Sequence, residues 1–184
     1  MTATATVTRS TLIGNQAIGG TGPTGGAARG GAIVNLNRGI LTVTDSLLLG
    51  NEAVGGAGTV GNGGNGLGGG IQVGFYNLVG LLTDNSVLTI TDSSLEHNTA
   101  RGGEGGNGGN GLGGGLGIQA GSSATVSHGS ITHNKALGGE EGAGGSDGHG
   151  VGGGVYNYHG TFAFDVFTNI SDNHASTSND NIFP

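Results

Sequence analysis

The sequence predicts an all-β fold, a right-handed parallel β-helix of about five coils, because one segment recurs along the whole chain. The clearest copy is LTVTDSLLLGNEAVGG at residues 41–56, and close copies lie at residues 6–20, 88–103 and 124–139. A degenerate fifth copy occupies residues 162–175. Repeats of this length are typical of solenoids, propellers and arrays. No stretch has the 3.6-residue period of an amphipathic helix, so short strands are the expected repeating element.

One asparagine fixes the register of the copies, and a small residue follows it two positions later in every copy. The steps between successive asparagines are 36, 47, 36 and 39 residues. If the coils stack, these side chains form a ladder with neighbours about 4.8 Å apart. An asparagine amide can bond to adjacent coils, and each such hydrogen bond contributes about 1 kcal/mol net. The predicted ladder comprises Asn15, Asn51, Asn98, Asn134 and Asn173.

Each repeat is predicted to contain three short strands. The first follows a glycine pair or triplet, as in GGAIVNL at residues 30–36. The second is the TVT strand. A polar corner such as Asp45-Ser46 follows it, and the third strand then ends at the asparagine. Alternation directs Val43 to the core and both Thr42 and Thr44 outwards. Such strands cannot bury their apolar faces alone, so successive coils are expected to stack as parallel rungs.

Composition and charge limit the class of partner. The 184-residue chain contains 46 glycines and no cysteine, and its formal net charge is −7 with only five Lys plus Arg. Nucleic acid is therefore excluded as an expected partner, because its binding depends on basic groups that meet phosphates. No apolar run approaches the roughly 20 residues that span a bilayer, and the first residues lack the regions of a secretory signal. We expect no membrane insertion, and a mature or excised piece of an exported protein rather than an intracellular one.

The repeats LTVTDSLLLGNEA and LTITDSSLEHNTA, each followed by a glycine-rich stretch and a GGG-plus-aliphatic strand, resemble those of pectate-lyase-like right-handed β-helices in bacterial surface proteins. Polymorphic outer-membrane proteins and autotransporter passengers are the nearest group, and the resemblance covers nearly the whole chain. It implies a secreted or surface-displayed stalk, adhesin or polysaccharide-facing module. It implies no particular chemistry, because these repeats build a scaffold. We expect one β-helix domain over residues 1–184.

Four glycine-rich segments interrupt the coils. In the third, residues other than glycine recur at almost every third position, a period that fits an extended polyproline-II-like helix. Faces without side chains allow neighbouring segments to approach closely, but glycine also costs the most entropy to order. The segments are therefore expected either to pack on one another as a lateral layer or to be mobile loops. They span residues 19–29, 55–67, 102–112 and 138–151.

The second coil is longer than the others because of an insertion within residues 74–87. Its apolar side chains are too numerous for an exposed loop, so they are expected to cover the flank of the solenoid or to form an interface patch. The residues concerned are Phe75, Tyr76, Leu78, Val79, Leu81 and Leu82.

The two ends of the solenoid have no visible capping helix. About five residues precede the first TVT strand, and nine residues follow Ala175. Solenoids usually cover their ends, and uncovered strand edges pair with other chains. We therefore expect stacking with further copies of the chain, head to tail or laterally, or a place in a longer array. In the fifth copy, one extra residue between Phe164 and Ile170 predicts a bulge or a distorted last turn, that is, a distorted corner.

The ionisable residues do not converge on a catalytic set, so no enzyme activity, metal or cofactor is expected. Four of them share one column of the repeat, which a surface ion-pair ladder explains. These are Arg9, Asp45, Asp92 and His128. His97 and His133 occupy equivalent positions in adjacent coils, but two ligands make a weak metal site, and exposed turn residues are the favoured interpretation.

Two outward rows of hydroxyl groups on the TVT face provide the main functional alternative, ice binding. Such Thr-x-Thr ladders resemble those of β-solenoid antifreeze proteins, although threonine also favours exposed strand positions for other reasons. The rows comprise Thr6, Thr8, Thr42, Thr44, Thr89, Thr91, Thr125 and Ser127.

Carbohydrate binding is the second alternative, either as a binding module or as a degenerate polysaccharide-lyase-like module. Aromatic platforms are scarce, and the candidates are Tyr76, Tyr156 and Tyr158. The composition, the repeat and the resemblance together favour a non-enzymatic extracellular structural or adhesive solenoid that associates with itself, with polysaccharide or a cell surface as a further partner class.

Overall fold

The computed structural model describes residues 2–75 and 84–184, which form a parallel β-helix of five coils. The predicted fold class is confirmed. Each of the first four coils contributes five strands and the fifth contributes four, numbered β1 to β24 in chain order. Strands at the same position in successive coils pair in parallel and build five sheets, which we number 1 to 5 by their order along a coil.

Sheets 1 to 3 follow one another along each coil. Sheet 1 comprises β1 (Thr4–Thr8), β6 (Ile40–Thr44), β11 (Val87–Thr91), β16 (Ser123–Ser127) and β21 (Thr161–Phe164). Sheet 2 comprises β2 (Thr11–Ile13), β7 (Leu47–Leu49), β12 (Ser94–Glu96), β17 (Ser130–Thr132) and β22 (Asn169–Ser171). Sheet 3 comprises β3 (Gln16–Ile18), β8 (Glu52–Val54), β13 (Thr99–Arg101), β18 (Lys135–Leu137) and β23 (His174–Ala175).

Sheets 4 and 5 follow the glycine-rich segments. Sheet 4 comprises β4 (Ala28–Arg29), β9 (Gly66–Leu67), β14 (Gly111–Leu112) and β19 (Gly150–Val151). Sheet 5 comprises β5 (Ile33–Asn35), β10 (Ile71–Val73), β15 (Leu116–Ile118), β20 (Val155–Asn157) and β24 (Ile182–Phe183).

The prediction of three strands per repeat is wrong, because sheets 3 and 4 were missed. Strands of sheet 3 begin directly after the asparagine and direct a small alanine inwards, as Ala53 and Ala100 do. Strands of sheet 4 have only two residues, and three of the four begin with glycine. Neither pattern shows the apolar alternation that reveals a strand in a sequence.

The core is a stack of aliphatic side chains from sheets 1, 2 and 5. Val43 pairs with Val7 on one side and with Ile90 on the other, and Ile90 pairs with Val126. Val43, Ile90 and Val126 are fully buried, and Val7 in the first coil is partly buried. Burial of such a side chain stabilises the fold by about 1.5–3 kcal/mol. The inward valine and outward threonines of the TVT strand are as predicted.

Asparagine side chains form one hydrogen-bonded file parallel to the axis. Asn51 donates through Nδ2 to Oδ1 of Asn98 at 2.9 Å and to the carbonyl of Leu12 in the preceding coil at 3.0 Å. Its Oδ1 accepts from both the backbone N–H and Nδ2 of Asn15. Asn98 and Asn134 repeat the same contacts, and all three central amides are completely buried. Each amide therefore ties three successive coils together.

The last nine residues complete the fifth coil and do not form a cap over it. β24 pairs with β20, and Ser178 bridges Val151. Asn181 extends the asparagine file, since its Oδ1 accepts from Nδ2 of Asn173 at 3.0 Å. The file thus has six members, and the sequence repeat revealed only five because Asn181 lies outside the repeated motif.

The four glycine-rich segments form a hydrogen-bonded layer beside the β-helix. Each segment runs out from sheet 3 and returns to sheet 4, and a single zigzag of backbone hydrogen bonds links the outgoing and returning halves of all four. It runs through N–H donors at Gly26, Gly56, Gly64, Gly103, Gly109, Gly139 and Gly148, with N···O distances of 2.8–2.9 Å. Two arrangements were expected for these segments, a packed lateral layer or mobile loops, and the hydrogen bonds are those of a packed layer. We call it the glycine layer.

Glycine is required in this layer because a Cβ atom would overlap a neighbouring carbonyl oxygen. A Cβ on Gly64 would overlap the oxygen of Gly26 in the preceding coil, and one on Gly55 would overlap that of Gly64 in its own coil. A Cβ on Gly20, in contrast, would meet open space. The segments are therefore close-packed on two sides, and only the outer positions tolerate side chains.

The corners of the coils contain residues with positive φ, which explains the column of ionisable residues. Arg9, Asp45, Asp92 and His128 have φ between 48° and 53°. Aspartate and histidine are enriched among the residues that adopt this conformation. No ion pair joins these four within the described residues, so the ion-pair ladder is wrong. The distorted corner of the fifth coil is a turn in which the N–H of Thr168 donates to the carbonyl of Asp165.

The insertion lies mostly outside the described residues. Tyr76, Leu78, Val79, Leu81 and Leu82 belong to residues 76–83, so the expectation of cover or interface stays a prediction. Phe75 is 40% exposed, and the guanidinium of Arg29 lies 4.8 Å from its ring centroid.

Substitution of Asn98 by alanine is expected to lower the free energy of unfolding by about 3 kcal/mol. It removes the acceptor of the buried Asn51 backbone N–H, one of the two acceptors of the Asn51 Nδ2 group and the Asn98 donor to the Leu48 carbonyl. A buried polar group left unsatisfied costs about 1–3 kcal/mol. Asn15→Ala is the matched control, because Asn15 is exposed and loses one side-chain bond, worth about 1 kcal/mol. Urea unfolding followed by circular dichroism measures both, and equal losses would contradict the role of the central amides.

Substitution of Gly64 by alanine is expected to destabilise the protein by about 1–3 kcal/mol, as overpacking does. Gly20→Ala should change stability by less than about 1 kcal/mol, since the added methyl group meets no atom. Thermal unfolding of the two variants measures the difference. A Gly64→Ala variant as stable as Gly20→Ala would show that the segments are not packed together in solution.

Candidate functional site

The TVT face is the outer surface of sheet 1, and the structure aligns the predicted hydroxyl residues on it. Thr6, Thr42, Thr89 and Thr125 pair in register, and so do Thr8, Thr44, Thr91 and Ser127. A third outward row, which was not predicted, contains Thr4, Ile40, Val87, Ser123 and Thr161. None of these thirteen residues is charged. The face therefore presents regular rows of hydroxyl and methyl groups over the first four coils.

The fifth coil ends this pattern. Ala163 follows Thr125 in the middle row, and Phe162 and Phe164 continue the inward columns of Ala124 and Val126. Phe164 is 50% exposed because no coil covers it. The same coil exposes Val166 by 91% and Phe167 by 70%. The second end of the solenoid is consequently apolar.

The first and last coils carry opposite charges. Residues 1–38 contain three arginines, Arg9, Arg29 and Arg38, and neither aspartate nor glutamate. Residues 160–184 contain three aspartates, Asp165, Asp172 and Asp180, and neither lysine nor arginine. Since the remaining two basic residues are Arg101 and Lys135, the basic character of the chain is concentrated at its first coil.

Asp165 organises the corner of the last coil. Its carboxylate accepts hydrogen bonds from the Thr168 hydroxyl at 2.7 Å and from the Phe167 N–H at 3.2 Å, and lies 3.1 Å from Nδ1 of His128. Desolvation acts to raise the pKa of Asp165, but these hydrogen bonds and the His128 imidazole hold that pKa below its usual value. The carboxylate is therefore charged at neutral pH.

The paired histidines stack on one another. The rings of His97 and His133 lie 4.9 Å apart with an interplanar angle of 23°, at corner positions with positive φ. Within residues 2–75 and 84–184, no three His, Asp or Glu side chains converge as ligands for a metal ion. The arrangement is that of exposed turn residues.

A groove of about 410 Å³ lies beside the returning half of the glycine layer, along sheets 4 and 5. Its lining includes Arg29, Gln72, Gln119, Tyr156 and Tyr158. The two tyrosine rings are nearly parallel, with centroids 6.3 Å apart and an interplanar angle of 4°. Burial, and secondarily Tyr158, raises the pKa of Tyr156, so its hydroxyl stays protonated at neutral pH.

Sequence reasoning found the two tyrosines of this groove but missed Arg29, Gln72 and Gln119. Arg29 lies on a strand of sheet 4, Gln72 on a strand of sheet 5 and Gln119 directly after one, and the stacking of the coils brings all three to the groove. A recognisable signal was the exchange of Gln72 for Gly117 and Tyr156 at one repeat position. That position is otherwise occupied by Val34 and Phe183.

Comparison of the chain with protein families, with curated proteins and with solved structures found no match. The assignment of the fold as a parallel β-helix therefore rests on the strand pairing within this chain. Across residues 2–75 and 84–184, the structure has no helix with the length and apolar character that crossing a bilayer requires.

Proposed function

We propose that this chain is a non-enzymatic, extracellular structural or adhesive β-solenoid that associates with itself end to end. The observation that carries the proposal is the complementarity of its two ends. Each end presents unpaired strand edges in sheets 1, 2, 3 and 5. Unpaired edges of parallel strands offer backbone donors and acceptors to another chain.

The apolar residues at the two ends support a head-to-tail contact. Phe162 packs over the small Ala124 inside the solenoid. In the same column, the first coil offers Ala5, which a second copy would place over Phe162. Val7 and Leu12 in the first coil are only partly buried, so both ends have apolar surface to cover. A heterologous contact of this kind does not close on itself and extends into a filament.

Charge also favours this orientation. Arginine is the only fully charged residue type in residues 1–38, and aspartate is the only one in residues 160–184. Arg9 belongs to the same corner column as His128, whose backbone N–H and imidazole contact the Asp165 carboxylate. Opposite charges on two surfaces speed their association and select against other orientations. Two first coils, or two last coils, would repel each other.

An exported location is part of this proposal. It rests on the resemblance of the repeats to those of polymorphic outer-membrane proteins and autotransporter passengers, whose pectate-lyase-like β-helices are displayed on bacterial surfaces. A polysaccharide or cell-surface partner belongs to the same expectation. The regular, weakly charged sides of the solenoid suit a scaffold, because the part of the chain that the structure describes brings no three His, Asp or Glu side chains together as metal ligands.

Substitution of Arg9 by glutamate is expected to weaken self-association at least about tenfold, because it places a carboxylate against Asp165. Arg101→Glu is the matched control, since it changes the net charge equally and Arg101 lies on β13 in the third of the five coils. Sedimentation velocity over a range of concentrations and salt measures the effect, and salt should weaken the wild-type contact. A chain that stays monomeric at high concentration, or a control that weakens association as strongly, would contradict the end-to-end contact.

Ice binding is the second candidate function, and the TVT face favours it. Its hydroxyl rows are in register over four coils, with neighbours along a row about 4.8 Å apart. The thirteen uncharged residues of the three rows provide hydroxyl groups for hydrogen bonds and methyl groups for apolar contact. Such a regular array can order water in a matching lattice.

Thermal hysteresis of the purified protein tests this second function. Substitution of Thr44 by tyrosine is expected to abolish the activity, because a bulky ring in the middle of a row breaks the flat array. Thr21→Tyr is the control, since Thr21 is an exposed residue of the glycine layer. Absence of hysteresis in the wild-type protein, or equal loss in both variants, would rule out the TVT face as an ice-binding surface.

A further inference from the structure

We infer that the groove along sheets 4 and 5 is a binding site for an acidic saccharide, a sugar unit that carries a carboxylate. This inference goes beyond the structural function and does not depend on self-association. It rests on three features of the groove, namely its parallel aromatic rings, its amide side chains and its single guanidinium group.

The aromatic rings provide a stacking platform. Tyr156 and Tyr158 lie nearly parallel, and Tyr156 stacks in turn on Phe183 with centroids 5.0 Å apart. This stacking holds the Tyr156 ring in place before any ligand arrives. Rigid aromatic groups with a polar end are suited to ligands that have both apolar and polar faces. A pyranose ring has that character, because its C–H groups form one face and its hydroxyls surround the rim.

The floor of the groove contains two buried amides. Gln72 is 1% exposed and Gln119 is 6% exposed. The Nε2 group of Gln72 is already satisfied, because it donates to the carbonyls of Val73 and Gly74. Its Oε1 has no hydrogen-bond partner among the described residues. A buried acceptor without a donor costs about 1–3 kcal/mol, and a sugar hydroxyl is a donor, whereas phosphate dianions and carboxylates are not.

Glycine at position 117 creates the space around Gln72. Gly117 pairs with Gln72 on one side and with Tyr156 on the other. A Cβ atom at Gly117 would overlap Oε1 of Gln72. The Gln72 amide therefore occupies the space that a side chain at position 117 would fill, in the outward column that continues to Tyr156. The groove of about 410 Å³ falls within the range of about 300–1,000 Å³ that is usual for small-molecule sites.

Arg29 determines the acidic character of the proposed ligand. Its guanidinium packs on the ring of Phe75 and forms no ion pair with any described residue. Burial lowers the pKa of Arg29, which shows that the charge is partly removed from water. The described residues that line the groove include no aspartate or glutamate. A carboxylate on the ligand would supply the missing counter-charge through a charge-assisted hydrogen bond.

Titration with matched saccharides tests the inference. The probe is a hyaluronan tetrasaccharide, whose repeat contains glucuronate, and its comparison is the same tetrasaccharide with the carboxyl groups reduced to alcohols. Tyrosine fluorescence can report binding, because the chain contains three tyrosines and no tryptophan. Isothermal calorimetry provides an independent measure. The acidic probe is expected to bind at least about tenfold more tightly than the reduced one, as the loss of a charge-assisted bond predicts.

Two substitutions separate the contributions of charge and stacking. Arg29→Gln should remove most of the difference between the two probes, and Arg38→Gln should leave it unchanged, because Arg38 lies outside the groove. Tyr156→Leu should abolish binding of both probes, whereas Tyr156→Phe keeps the ring and should retain binding. Thermal unfolding of each variant verifies that it is folded. If Tyr156→Leu does not fold, Tyr156→Phe still tests whether the ring alone is sufficient for binding.

The inference is overturned if neither probe binds the wild-type protein saturably. Equal affinity for the acidic and reduced probes would overturn the assignment of an acidic ligand. If Arg29→Gln still binds the acidic probe more tightly than the reduced one by the wild-type factor, the role of Arg29 is overturned. If a folded Tyr156→Phe variant binds neither probe, the stacking role of Tyr156 is overturned.

Discussion

The asparagine file is the interaction on which the rest of the structure depends. Each completely buried amide donates to the next amide and to a carbonyl of the preceding coil, and its oxygen accepts two hydrogen bonds from the preceding asparagine. Four side-chain hydrogen bonds therefore define the axial position of each of the three central coils. A shift of one residue would leave these amides unpaired inside the solenoid, where an unpaired polar group is costly. The file therefore fixes the register in which the threonine rows, the core columns and the corners align.

The glycine layer depends on the same register. Its segments leave the β-helix just after the asparagine-linked strands and return before sheet 4, so the height of each segment follows the height of its coil. Carbonyl oxygens and N–H groups of adjacent segments then meet at 2.8–2.9 Å without any side chain between them. The large entropy cost of ordering glycine is offset by backbone hydrogen bonds and close packing. The side-chain hydrogen bonds of the asparagine file and the backbone hydrogen bonds of the glycine layer therefore have the same spacing along the axis.

Regular repetition gives the sides of this protein their uniform character, and departures from it give the protein its distinct sites. Similar residues at equivalent positions of the first four coils produce the TVT face. Exchanges at one position produce the groove, where Gln72, Gly117 and Tyr156 succeed one another. The first and last coils lack a neighbour, so their charge and exposed apolar groups are available to a partner. The proposed end-to-end contact and the proposed saccharide site therefore lie at the ends and at irregular positions, whereas ice binding would use the repeated ones.

The sequence by itself determined the repeat, the fold class, the inward valines and the five repeated asparagines, because each of these has a periodic signature. It did not reveal sheets 3 and 4, since their strands are too short and too rich in small residues to alternate visibly. It also left open whether the glycine segments pack, because that depends on the backbone of other coils. Only the tertiary structure decided that Asn181 extends the file and that Arg29, Gln72 and Tyr156 share a groove. These residues are far apart in the chain and belong to no common motif, so only the stacking of coils brings them together.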